Sequence, residues 1–261
     1  MRKFLTGSMA VLALGIGIFF SGCKTMPLSG GSKNPTLYVG VTPDCPPIIF
    51  KKDNRILGLE ADLARELAKT LDRPLQFVEV PWEQQINSLL ADKFDVIMSG
   101  MTVTRERQVR IAFSEPYLQQ GQMALVRRTD LDRFGTSLKV CNANANFAVQ
   151  RKTTGDIFVQ QVCRNAASVG NLDPSEAAQA ICCKMIDIYI HDAPIIVWMA
   201  SENEADLTTV PIKSPTQSIA WGVKKTDTDL LATLNKVLAQ WKQDGTLDRI
   251  RQRWIPDDMG K

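Results

Sequence analysis

Residues 95–117 read DVIMSGMTVTRERQVRIAFSEPY, and their types and spacing could hold an anion. A buried-looking strand, Asp95–Ser99, ends in Gly100, a small residue that lets a ligand approach the backbone closely. The turn Thr102-Val103-Thr104 follows. Thr104 is a fair N-cap, and the first helical N–H groups after it lack an intrahelical partner. Arg107 lies in that first turn. Free donors, the helix dipole and a guanidinium together suit a carboxylate. The expected guest is a small anionic or zwitterionic molecule. The competing reading is a surface helix start with a solvated arginine.

The surrounding pattern must position this stretch. Leu37–Val41 reads as a buried strand running into Thr42-Pro43-Asp44-Cys45-Pro46-Pro47, a rigid loop that cannot be helix. Gly58 opens a helix in which Leu59, Leu63, Leu67 and Leu71 recur every four residues, so that one stripe faces a core. Gln76–Val80 is the next strand, and Pro81 and Trp82 start a helix with Ile86, Leu89 and Leu90 inward. Gln122–Arg128 reads as a strand leaving this lobe, and Asp130–Thr136 as a loop. Asp173-Pro174-Ser175-Glu176 has the N-cap, N1 and N3 residues of a helix start. Ile186–Ile190 is a strand that ends at His191-Asp192, before a helix opened by Pro194. Leu230, Leu234, Val237, Leu238 and Trp241 mark a last long helix, ended by Gly245. Strands alternating with helices predict α/β lobes with largely parallel sheets. Two such lobes joined by crossing strands make a cleft, a preferred place for ligands.

The N-terminus reads as an address. Arg2 and Lys3 precede an apolar and small run from Met9 to Phe20, the layout of a signal peptide over residues 1–22. Phe20-Ser21-Gly22-Cys23 looks like a bacterial lipobox. Cleavage there leaves Cys23 to carry acyl chains and anchor the chain to a membrane on its exported side. Residues 23–36 then form an acylated Cys and a flexible tether. Removal of Arg2 and Lys3 leaves 29 basic against 28 acidic residues, which argues against nucleic-acid binding. With one histidine and six cysteines at no zinc-finger spacing, neither a structural metal nor a cofactor is expected. Beyond Cys23, Cys45, Cys141, Cys163, Cys182 and Cys183 leave at least one thiol free, and a Cys141–Cys163 bridge is open.

In order, the chain carries Val39-Gly40-Val41-Thr42-Pro43, Gly58-Leu59-Glu60-Ala61-Asp62-Leu63-Ala64, Asp95 to Thr102, and Arg107 with Phe113-Ser114-Glu115-Pro116-Tyr117. Val149-Gln150 with Thr153-Thr154-Gly155, His191-Asp192-Ala193-Pro194, and Trp241-Lys242 with Asp244-Gly245 follow. This series resembles the bacterial extracellular solute-binding proteins of the polar amino-acid type, which serve ABC importers. The resemblance implies a two-lobed periplasmic-binding-protein fold of type II, α/β, with mixed and largely parallel sheets. Lobe 1 would span 37–120 and 219–256, and lobe 2 would span 121–218. Hinge crossings are implied near 118–122 and 214–220. The implied partners are a free amino acid, an ABC permease and, through the lipid anchor, a membrane; the protein would act as a monomer.

The resemblance also implies roles. A ligand α-carboxylate would meet Arg107, Thr102 and, from the second lobe, Thr154. The α-ammonium would meet Asp192 and the Gly100 carbonyl. Trp82 would pack on the ligand, with core packing as its alternative. Asp192 could equally be a helix N-cap. His191 reads as either a satisfied structural histidine or a ligand contact, and Gln150 as either facing the cleft or turned away from it. Three departures stand out: Cys45 where the family often has an aromatic, Lys152 where a Gly is common, and the Asn/Ala stretch at 141–146. No acidic cluster for a cationic side chain is evident, though Asp44 and Glu83 are close in sequence, so a neutral polar amino acid is favoured. The rival functions are an amino-acid-sensing lipoprotein without a transporter, and a dehydratase-like enzyme on the same fold using His191, Glu115 or Asp192.

Overall fold

The structure, a computed structural model, describes residues 35–256. The readings of residues 1–22 as signal peptide, of Cys23 as lipidation site, and of nearly all the tether lie outside the described residues. No helix among the described residues is long and apolar enough to cross a membrane.

Two five-stranded sheets form the framework. The first runs, in spatial order, Leu75–Glu79, Leu37–Val41, Val96–Ile97, Gly222–Val223 and Ala112–Phe113. The second runs Ser168–Asn171, Asn146–Val149, Ile188–Asp192, Gln122–Arg127 and Leu207–Pro211. In each sheet the fourth strand is antiparallel to both neighbours, and the first three strands are parallel. That fourth strand is the one entered from the crossing between the lobes. The parallel strands come from βα units, as strand–helix alternation requires.

The lobes are joined by a two-stranded ribbon, Leu118–Gln120 against Gln217–Ile219, with Gln217 opposite Gln120 and Ile219 opposite Leu118. Ile219 also bridges to Thr102, so the ribbon lies against the segment that carries Gly100 and Arg107.

The leucine stripe behaves as its period requires. Leu59, Leu63 and Leu67 on the helix Leu59–Thr70 are wholly buried. Each buried leucine contributes roughly 1.5–3 kcal/mol by leaving water. Glu60, also wholly buried, sits on the same helix. Its carboxylate accepts from the Gly100 N–H (2.9 Å), the Tyr117 hydroxyl (2.6 Å) and Trp221 Nε1 (3.0 Å). Burial raises its pKa to about 7, against the lowering pull of those three donors.

Several local expectations are corrected. Residues 130–136 are not a plain loop, because Leu131–Phe134 makes one helical turn and Thr136 caps the helix Ser137–Cys141. Such short helices fall below the length at which a hydrophobic period can be read. Leu90 ends its helix 40% exposed rather than inward. The loop after Val41 contributes Asp44–Cys45 to a small sheet with Ile49–Lys52 and Arg55–Leu57. The strands Ser168–Asn171 and Leu207–Pro211 went unread in the sequence. Both are sheet edges, where half-exposed polar residues blur the alternation of an inner strand. The five cysteines among the described residues are free thiols. Cys141 and Cys163 sit together in one apolar cluster of the second lobe, where burial and the neighbouring thiol push Cys163 up to about 12.

Candidate functional site

A cavity opens between the lobes beside the ribbon. Cys45, Trp82, Gly100, Thr102 and Arg107 line it from the first lobe, and Gln150, Thr154, His191 and Asp192 from the second. All nine residues named in the sequence for ligand contact therefore border one space. The ribbon adds Leu118, Gln120 and Ile219.

Gly100 has φ +70°, and a Cβ there would stand 2.9 Å from Ile48 Cγ2. Only glycine takes both this backbone and this spacing without strain. Thr104 accepts from the Arg107 N–H at 3.2 Å, as its N-cap reading requires. This spends one of the free donors expected at that helix start, and the helix is only Arg105–Arg110. The anion-attracting group that remains is the Arg107 side chain.

The guanidinium is held from both lobes. Nη1 donates to the Thr102 carbonyl at 2.7 Å and Nη2 to the Lys152 carbonyl at 3.0 Å. Trp82 lies under it, 5.3 Å from ring centroid to Cζ, and Trp82 Nε1 donates to the same Lys152 carbonyl at 3.3 Å. The indole is thus shared with Arg107 through a cation–π contact. Burial lowers the Arg107 pKa to about 10, while Asp192 and Glu106 pull it up. It remains charged at neutral pH. Lys152, with φ +60°, also reaches Glu83 at 3.2 Å.

Asp192 stands at the N-cap position of the helix Ala193–Glu202, yet its side chain makes no capping bond. It is 8% exposed. Burial raises its pKa to about 6, opposed by a hydrogen bond from Gln120 and by the charge of Arg107. Arg107 and Asp192 influence each other without forming an ion pair. A buried carboxylate left apart from the half-buried guanidinium across the cavity is costly to the fold, which marks the two as charges set out for a guest.

His191 is occupied. Its Nδ1 accepts from the Asp192 N–H at 2.8 Å, so its proton is on Nε2, 3.3 Å from Gln150 Oε1. Burial lowers its pKa to about 4. That bond fixes the Gln150 amide, whose Nε2 donates to Asp44 Oδ2 (2.9 Å) and Asp173 Oδ1 (3.2 Å). The structure thus brings together two carboxylates, one from each lobe, that lie far apart in sequence. Burial and the nearby Asp173 raise the Asp44 pKa, while bonds from Cys45 and Gln150 lower it. Cys45 donates its thiol proton to Asp44 Oδ1 at 3.0 Å, and burial with the charge of Asp44 holds that thiol protonated.

Two ribbon glutamines were missed by sequence reasoning. Gln217 Oε1 accepts from Thr154 Oγ1 at 3.0 Å and from Thr102 Oγ1 at 3.4 Å. Gln120 reaches Asp192. Neither belongs to a periodic element or motif, and only the ribbon pairing gives them a common face. Glu115, a candidate acid, is exposed and lies outside the cavity lining.

Comparison with known proteins agrees with this architecture. The chain is 28% identical over 276 residues to the ABC transporter glutamine-binding protein GlnH of Bacillus subtilis (strain 168), covering 96% of this chain and 97% of that one. Among solved structures it is similar to the binding component of an ABC transporter from Wolinella succinogenes complexed with lysine. That match has 30% identity and TM-score 0.79, over 85% of this chain and 97% of that one. It is equally similar to AncCDT-1, an ancestral amino acid-binding protein and precursor of cyclohexadienyl dehydratase. Here identity is 31% and TM-score 0.79, over 84% of this chain and 95% of that one. Residues 37–257 match one family along nearly the whole body of the chain, and the protein belongs to the bacterial extracellular solute-binding proteins, family 3.

Proposed function

We propose that this protein captures a free polar amino acid between its lobes and delivers it to an ABC importer. The observation that carries the reading is the pair Arg107 and Asp192: opposite charges, the first half-buried and the second buried, on different lobes, facing one cavity without touching. A zwitterion satisfies both at once. Its carboxylate takes the Arg107 guanidinium, with the Thr102 and Thr154 hydroxyls turning their single protons from Gln217 toward it, and its ammonium takes Asp192 with the Gly100 carbonyl. Trp82, Cys45, Gln150 and His191 bound the side chain. Asp44 and Asp173 extend the expected side chains from neutral polar to basic ones, in keeping with the lysine complex of the W. succinogenes relative.

Lobe 1 comprises 37–120 and 219–256 in this reading, and lobe 2 comprises 121–218. Both turn about hinges near 118–122 and 214–220. The first lobe receives the zwitterion, the second closes over it, and the closed form docks on the permease. Export by the 1–22 signal peptide and acylation of Cys23 would hold a monomer at the membrane, with the 23–36 tether leaving it free to reach the permease.

A ligand that binds only the native state raises apparent stability by about 2.7 kcal/mol at a hundredfold excess over Kd. A thermal-shift screen of the twenty amino acids therefore tests the reading, and a melting point unmoved by all of them would sink it. Uptake unchanged in a deletion strain would instead favour a sensor. A dehydratase-type enzyme draws on the AncCDT-1 likeness alone. His191, neutral and bonded at both ring nitrogens, is poorly placed as its acid or base, and incubation with prephenate or arogenate tests it directly.

A further inference from the structure

Gln120 is 7% exposed, lines the cavity, and sits on the ribbon strand Leu118–Gln120. Its amide bonds to Asp192. An ionised carboxylate only accepts, so Gln120 must turn Nε2 toward Asp192. Oε1 is then fixed on the other side of the amide, buried and without a protein partner. A buried acceptor left unsatisfied destabilises the fold unless something donates to it.

Directly opposite, Gln217 has the complementary arrangement. Its Oε1 gathers the hydroxyl protons of Thr102 and Thr154. Residues directly opposite on antiparallel strands share a face. The ribbon thus presents two amides side by side, one accepting from the Thr102 and Thr154 hydroxyls and one adding an acceptor next to Asp192.

We propose that Gln120 Oε1 accepts a hydrogen bond from the ligand's α-ammonium and makes the site selective for α-amino over α-hydroxy acids; this rests on the amino-acid reading above. An ammonium has three N–H donors, enough for Asp192, the Gly100 carbonyl and Gln120 at once. A hydroxyl has one proton, and whichever acceptor it chose, another would be left buried and unpaired. A site built to bond a group rejects the analogue that lacks it.

Titration calorimetry of the full-length chain at pH 8, where Asp192 is ionised with or without Gln120, tests this. The probes are L-arginine and L-histidine, each beside its 2-hydroxy acid. The variants are Gln120→Met, which keeps the length and removes the acceptor, and Gln120→Leu, which covers failure of the first to fold. The native protein should prefer the amino acid by about 100-fold or more, and the variants should narrow that ratio about tenfold through weaker amino-acid binding. An unchanged ratio in a folded variant overturns the role of Gln120, whatever happens to absolute affinity, and leaves the amino-acid reading standing. If the native chain binds no amino acid in the twenty-member screen, both readings fall together.

Discussion

Arg107 of the first lobe donates from Nη2 to the backbone carbonyl of Lys152 in the second, at 3.0 Å. The residue expected to take a ligand's carboxylate thus also fastens the lobes, and Trp82 Nε1 joins it at the same carbonyl. Closure and capture share one guanidinium.

Arg107→Ala should weaken amino-acid binding by at least about 100-fold, because a buried carboxylate would lose its charge partner. The thermal shift seen with the native protein should vanish. Arg107→Lys should recover only part of the loss, since an ammonium cannot bridge the carboxylate and the Lys152 carbonyl with a planar fork. Full recovery by lysine would show that the fork geometry is irrelevant.

Lys152 contributes through its carbonyl more than through its side chain. It holds φ +60°, which costs a non-glycine residue roughly 1–2 kcal/mol. Its ion pair with Glu83 is exposed on both sides and adds little. Lys152→Gly should therefore unfold at higher urea than Lys152→Ala, by about 0.5–1 kcal/mol after allowing for glycine's freedom in the unfolded chain. Both should bind ligand within about threefold of the native protein. A large loss in both variants would move the role to the ammonium.

Asp192 must be ionised to hold an ammonium, and burial places its pKa at about 6. Ligand affinity should fall as pH drops below about 6, with one proton taken up at Asp192 for each ligand lost. Above that pH the affinity should level off. Asp192→Asn should bind weakly and lose this dependence, as calorimetry between pH 4.5 and 8 would record. A variant that kept the same pH profile would assign the titration to another group.

Glu60 should shape the stability of the free protein. Its folded pKa, about 7, lies above its ordinary value of 4.5. The protonated form is the one the fold favours. Its stabilising share is therefore complete below pH 4.5, declines as pH rises, and is gone above about pH 7. Over that window Glu60 alone should lower stability by about 3 kcal/mol. Glu60→Gln should flatten that part of the curve in urea melts. It should also be less stable at low pH, because its amide would turn a donor toward Trp221 Nε1 or toward Tyr117 and Gly100.

Much of the frame was legible in the residues themselves. The period of Leu59, Leu63 and Leu67, the strands before Thr42 and after Gln122, and the caps at Thr104 and Gly245 are local matters. Backbone geometry and side-chain size settle them within a few residues. The order of motifs around Gly100, Thr102, Arg107, Thr154 and Asp192 pointed to a zwitterion site through the family resemblance, since by themselves Arg107 could have been a solvated helix start and Asp192 a plain N-cap.

What the tertiary structure alone decided depends on contacts between distant segments. The edge strands Ser168–Asn171 and Leu207–Pro211 become strands only because a neighbour offers its hydrogen bonds. Asp44 and Asp173 meet only because Gln150 spans the cleft between them. Gln120 and Gln217 have no periodic neighbours to announce them, and they acquire a shared face from a ribbon register linking residues almost a hundred positions apart. A sequence fixes which groups can ionise or donate. Folding fixes which of them lose water together, and that loss gives Arg107, Asp192 and Gln120 their common guest.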